Sequence, residues 1–219
     1  MEIFSLNIID KGGLMMWPMI FISLLGLMFT IERAIYLHKG KIRAGEFLAG
    51  IKNLLEKNRL VEALTVCEET PTPVSNVIKA ALLNHDQPEE KMVAAVEAAA
   101  FAEMPNLQRR IGTLAMIARI APLMGLAGTV ISVYMGISAL EADGNFVNAA
   151  ILSKFIGEAL IATATGLVIA IIAWIVHHFL DGRVRSIVHD MEWVAHDILQ
   201  FLLSEAPEQS LKEDLVEAV

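Results

Sequence analysis

The strongest constraint on this chain is the apolar stretch at residues 155–176, FIGEALIATATGLVIAIIAWIV, interrupted by a single carboxylate, Glu158. A helix needs roughly 20 apolar residues to cross the hydrocarbon of a bilayer, so this segment reads as a transmembrane helix. Its hydroxyl groups are those of Thr163 and Thr165. An ionisable side chain inside a span costs roughly 2.5–3.5 kcal/mol on insertion scales, so such residues are rare and usually functional. A carboxyl that gains and loses a proton at that depth points to a proton path.

Two further stretches read as spans. Residues 14–31, LMMWPMIFISLLGLMFTI, have about the minimum crossing length. Pro18 falls near the first turn, where a missing N–H does least harm, and Trp17 suits an interfacial anchor. The run 111–140 is helical in pattern but carries Arg119, so its lipid-crossing part is expected to begin near Ile120, with the earlier turns forming a stalk. The 219 residues are 55% hydrophobic, and the mean hydropathy is +0.56. That balance implies membrane residence with a substantial aqueous part. A net charge of −8 argues against nucleic acid as a partner. The N-terminus has Glu2 and Asp10 where a signal peptide would be basic, so the first stretch reads as a retained anchor.

Flanking charges orient the spans. Arg33, Lys39, Lys41 and Arg43 follow the first, Arg109 and Arg110 precede the second, and Arg183 and Arg185 follow the third. The short connection between the second and third holds one base, Lys154, beside Glu141 and Asp143. The excess of Lys and Arg marks the cytoplasmic side. The expected layout is a periplasmic N-terminus (1–13), a first span (14–36), a cytoplasmic helical domain (37–110), a stalk plus second span (111–140), a periplasmic loop (141–154), a third span (155–180), and a cytoplasmic C-terminal helix with an acidic tail (181–219).

The aqueous segments read as helices. Phe47, Ile51, Leu54 and Leu55 have helical spacing, TPTP at 70–73 breaks the pattern, and a helix follows from about Val74 to Leu83. Gln87–Pro88–Glu89–Glu90 opens a long alanine-rich helix. Val184, Ile187, Met191, Val194, Ile198 and Phe201 alternate three and four apart, a seam for packing on the stalk or a neighbouring subunit. The tail from Ser204 reads as partly disordered. With no strand pattern, the fold class is an all-α membrane protein, three transmembrane helices extended into a cytoplasmic helical bundle.

Within the second span, Gly125, Thr129, Ser132 and Gly136 form one stripe, with Gly128 beside it. Such a stripe serves close helix packing, or a polar lining shared with the third span. Thr165 lies two turns after Glu158 on nearly the same face, whereas Thr163 is rotated by about 140° toward another neighbour. Lys154, four residues before Glu158, leaves open a structural ion pair near the outer interface. His189, Glu192 and His196 share a face but read as solvated rather than as a metal site, and Cys67 reads as a small core filler. No cofactor or metal is expected. No Ser/His/Asp or HExxH arrangement is present, so no enzyme is expected either.

Three of these stretches, MWPMIFISLLGLMFTIERA, APLMGLAGTVISVYMGI and IGEALIATATGLVIAI, resemble the spans of the MotA/TolQ/ExbB proton-channel family, most closely its ExbB branch. The resemblance implies that Glu158, Thr163 and Thr129 match the family's third-span glutamate and threonine and its second-span threonine. Pro122, Gly125 and Gly128 match its Pro/Gly positions. Thr165 departs from the pattern, which is apolar there.

What the resemblance implies is a homo-oligomer, a pentamer, around single-span ExbD-like helices, each with a membrane-embedded aspartate. The complex would sit among the lipids of the bacterial inner membrane and deliver work to a TonB-like energy transducer for transport across the outer membrane. Expected roles are a proton pathway of Glu158, Thr163, Thr129 and Thr165, packing or pore lining by Pro122, Gly125, Gly128, Ser132 and Gly136, and Arg119 at the inner mouth. The alternatives are a TolQ-type subunit serving envelope integrity and a non-conducting scaffold for the partner.

Overall fold

A computed structural model of the protein describes residues 12–39, 43–142 and 149–217. Residues 1–11 of the expected N-terminal segment and 143–148 of the expected periplasmic loop lie outside them. The described chain forms helices α1 (Met16–Lys39), α2 (Ala44–Glu56), α3 (Leu60–Glu69), α4 (Pro73–Leu83), α5 (Glu89–Gln108), α6 (Ile111–Ala142) and α7 (Ala149–Glu217), with no strand among the described residues. This is an all-α membrane protein. The segments Met16–Leu37, Glu89–Glu141 and Leu152–Ser204 are each long and apolar enough to contain a membrane span.

Two compact units divide the chain: Met1–Ala34 with Arg110–Leu180, and Ile35–Arg109 with Asp181–Val219. In the first, α1, α6 and α7 pack together through small side chains. The buried stripe of α6 is Leu114, Ala118, Ala121, Gly125, Gly128, Ser132 and Gly136; that of α7 is Ala159, Ala162, Gly166, Ala170 and Ala173. Both advance three or four residues at a time, so each is one helical face. Ile22 of α1 and Ile169 of α7 pack on the cluster of Ile117, Ala118 and Ala173. Large side chains such as Leu123, Leu126, Leu167, Ile171 and Ile175 stay exposed, as a lipid-facing surface requires. Trp17 and Pro18 occupy the first turn of α1, where a proline costs no helix bond.

A two-residue turn, Arg109–Arg110, separates α5 from α6, and Arg110 takes a left-handed φ of +64°. That conformation costs about 1–2 kcal/mol for a residue with a side chain. The guanidinium offsets it: Arg110 pairs with Glu32 of α1 and lies 5.4 Å from the centroid of the Phe29 ring.

The second unit has a conventional apolar core. Its centre is α4, where Val74, Val77, Ile78, Ala81 and Leu82 are all buried. The TPTP break becomes the start of that helix: the Thr72 hydroxyl accepts the Ser75 N–H at 3.3 Å, the Ser75 hydroxyl accepts the Thr72 N–H at 3.1 Å, and Pro73 follows at the first helical position. α4 packs along α5, and Asn76 donates to Glu103 across that contact at 2.8 Å. The expected seam of α7 is buried, with Val184, Ile187, Met191, Val194 and Ile198 all inside. It is joined to α2 within the unit: Lys52 bonds Asp197 at 2.7 Å and lies over the Phe201 ring.

α7 runs to Glu217, through the tail that begins at Ser204.

Candidate functional site: a carboxylate between the head of α1 and the α6–α7 seam

The site is built on glycine. A Cβ placed on Gly125 would lie 3.0 Å from the carbonyl oxygen of Ala162 and 3.1 Å from the Thr163 Cα. On Gly128 it would lie 2.8 Å from the Ala162 Cβ, on Gly136 3.0 Å from the Phe155 Cβ, and on Gly166 only 2.6 Å from the Ala121 carbonyl oxygen. Real Cβ atoms essentially never approach as closely as at Gly128 and Gly166, and seldom as closely as at Gly125 and Gly136, so α6 and α7 come this near because these positions lack side chains.

That approach decides where the threonines act. Thr163 reaches across the seam, its hydroxyl donating to the Gly125 carbonyl oxygen at 3.4 Å. Thr129 donates to Leu126 within its own helix at 2.6 Å, and Thr165 donates to Ile161 in the same way at 2.8 Å. The packed stripe of α6 therefore runs through Gly125, Gly128, Ser132 and Gly136, with half-buried Thr129 on its shoulder rather than in line. Pro122 is half-buried inside α6, one turn before Gly125.

Glu158 and Thr163 flank the α7 stripe on opposite sides, as their helical angle requires. The Glu158 side chain retains 13% exposure. Its Oε1 lies 3.9 Å from the Lys154 ammonium, whose side chain is 70% exposed. Its Oε2 faces the turn before α1, 3.3 Å from where a Cβ on Gly13 would sit. The hydroxyl of buried Ser132 lies 3.8 Å from the same point, so the carboxylate and that hydroxyl converge on Gly13. The surface pair with Lys154 is long and solvated, worth less than about 1 kcal/mol. The arrangement can hold a carboxyl at the edge of the apolar unit with one oxygen toward an exposed base and the other toward the turn before α1.

Arg119 is exposed on α6 and has no partner among the described residues. His189, Glu192 and His196 form no metal-holding group there. Sequence reading missed Gly13 and Gly166. The doublet Gly12–Gly13 was a turn signal just before an apolar run, and Gly166 continues the small-residue spacing from Ala159 and Ala162.

Comparison with known proteins agrees with a multi-span membrane protein. Residues 69–193 match the profile of the MotA/TolQ/ExbB proton channel family, covering α4, α5, α6 and the Glu158 region of α7. A protein named as an ExbB homolog in Methanothermobacter thermautotrophicus is 29% identical over 190 residues, 86% of this chain and 67% of its own length. An ExbB-like biopolymer transport protein of Synechocystis is 31% identical over 174 residues, 78% of this chain and 68% of its own. The biopolymer transport protein ExbB of Neisseria gonorrhoeae is 36% identical over 106 residues, about half of either chain at 47% and 48%.

Proposed function

Because this chain belongs to the MotA/TolQ/ExbB proton channel family, we propose that it is the multi-span subunit of an inner-membrane motor that uses the proton motive force to energise TonB-dependent transport across the outer membrane. It would work with an ExbD-like single-span partner. The relatives' names support the ExbB role over the TolQ role. The observation that carries the proton reading is Glu158, the only carboxylate in residues 155–176, half-buried beside Ser132 and the turn before α1.

In this reading Glu158 either takes up the proton or sets the field for a carboxylate on the partner. A desolvated carboxyl switches between charged and neutral forms with a large change in local electrostatics, because low polarity strengthens every interaction of the charge. Ser132 supplies a hydroxyl that can donate to the charged form and accept from the neutral one. Thr163, Thr129 and Thr165 bond carbonyls at rest, so each hydroxyl can exchange that bond for one to water or to a partner when the seam shifts. The glycines of the seam permit such a shift, because no interlocked side chains oppose sliding. One charge crossing about 100 mV yields roughly 2.3 kcal/mol, so several protons suffice for a conformational cycle.

The loop charges favour a cytoplasmic C-terminus, with Glu158 near the periplasmic side and Arg119 toward the inner mouth. The family resemblance supports a homopentamer around the partner helices. The test is Glu158→Ala in the full complex: partner-dependent transport should stop while the oligomer stays intact. Wild-type transport in that variant would remove Glu158 from the path. Proton flux that is the same with and without the partner, and zero in both, would make the chain a scaffold instead.

A further inference from the structure

The geometry points to Gly13 as a positioning residue for the Glu158 carboxyl, an inference that rests on the proton reading above. Gly13 has a φ of +72°, a conformation that side-chain-bearing residues rarely adopt. Its carbonyl accepts the Met16 N–H at 3.2 Å, which closes the turn from which α1 starts. Its neighbour Gly12 is buried, and a Cβ there would crowd the buried Met16 side chain, 2.6 Å from its Sδ, and stand 3.3 Å from the Ile161 Cγ2 of α7. The turn is therefore seated on α7 one helical turn from Glu158.

Three elements meet at the bare Cα of Gly13. A Cβ there would lie 3.3 Å from Glu158 Oε2, 3.8 Å from the carboxyl carbon and 3.8 Å from Ser132 Oγ. At 3.3 Å the carboxyl must give way. Ser132 is 6% exposed and backed by the glycine seam, so the α6 side offers no room. The free direction is toward exposed Lys154, 3.9 Å from the other carboxyl oxygen. Gly13 thus leaves the carboxyl a space the size of one methyl group against the turn before α1. Any side chain at this position pushes the carboxyl out of that space.

Two substitutions separate backbone from occupancy. Gly13→Ala adds a Cβ and strains the positive φ, whereas Gly13→Asn adds a Cβ at a conformation asparagine tolerates. Gly12→Ala disturbs the same turn through Met16, with no Glu158 atom among the nearest neighbours of its Cβ, and so reports general loosening of the head of α1. The full chain is reconstituted in lipid vesicles, and the rate at which a hydrophobic carbodiimide modifies Glu158 is followed by mass spectrometry, with Glu158→Gln as the blank. Thermal unfolding of each variant is recorded alongside.

Both Gly13 variants should change the modification rate by about threefold or more, corresponding to at least about 0.65 kcal/mol in the barrier. Gly12→Ala should change the rate less than either Gly13 variant. Wild-type rates in both Gly13 variants overturn the assignment. So does a change in Gly13→Ala alone, which makes the effect one of backbone strain, or an equal change in Gly12→Ala, which makes it one of general loosening. Partner-dependent proton flux is measured on the same vesicles and should fall with the altered rate. If Glu158→Ala leaves flux intact, the proton reading fails, while the carbodiimide rates still decide whether Gly13 sets the carboxyl.

Discussion

Single side chains in this protein are placed by what surrounds them more than by their own type, and Cys67 shows it in the aqueous unit. It is buried on α3, and burial pushes its thiol up from 9.0 to about 11, with Lys79 opposing the effect weakly. The neutral thiol is favoured by the fold, so its contribution is fully present below pH 9.0 and is lost as pH rises toward about 11, where the unfolded chain ionises first. Thiol reagents near neutral pH should therefore leave native Cys67 unmodified and label it on unfolding. The alkaline loss of stability should be smaller in Cys67→Ala, measured by denaturant melts of the two proteins across that window. Rapid labelling of the native protein would contradict the burial. The sequence indicated Cys67 as a core filler from its lone occurrence, but the direction of its titration needed the packing of α3.

At the scale of elements, the seam between α6 and α7 depends on the absence of side chains. Gly166→Val should be among the most damaging changes in the molecule, because even a Cβ would stand 2.6 Å from the Ala121 carbonyl oxygen. Overpacking of this kind costs about 1–3 kcal/mol, and backbone cannot move aside as a flexible side chain can. The measurement is the detergent-induced unfolding midpoint beside Gly157→Val, whose position has nothing within 4 Å of a Cβ. Equal midpoints would mean that α6 and α7 do not approach as described. Helix existence was legible here: hydrophobic length found the spans, TPTP located the break before α4, and the three-four alternation found the buried face of α7. Which residues of the stripe touch was not legible. Thr129 and Ser132 are both small, polar and suitably spaced, but the true crossing puts Ser132 in the seam and Thr129 on its shoulder, a rotation that only the facing helix determines.

For the whole molecule, the charge asymmetry of the loops predicts orientation. A reporter fused after residue 219 should be active only in the cytoplasm, and one placed in the 143–148 loop only in the periplasm. The opposite pattern would invert the topology and put Glu158 at the inner side. The pattern of three spans, the resemblance to a proton channel family and the singular carboxylate at Glu158 were all determined by the sequence itself. Hydrophobic length and charge bias act through the solvent, and a bilayer reads them without reference to any other part of the chain. Tertiary structure alone decided that Glu158 meets the turn at Gly13, that Thr163 bonds Gly125 across the seam, and that Arg110 holds a left-handed turn by pairing with Glu32. Those contacts join residues far apart in sequence across distances of a few ångströms, and such proximity is fixed by how helices cross, which no local pattern encodes.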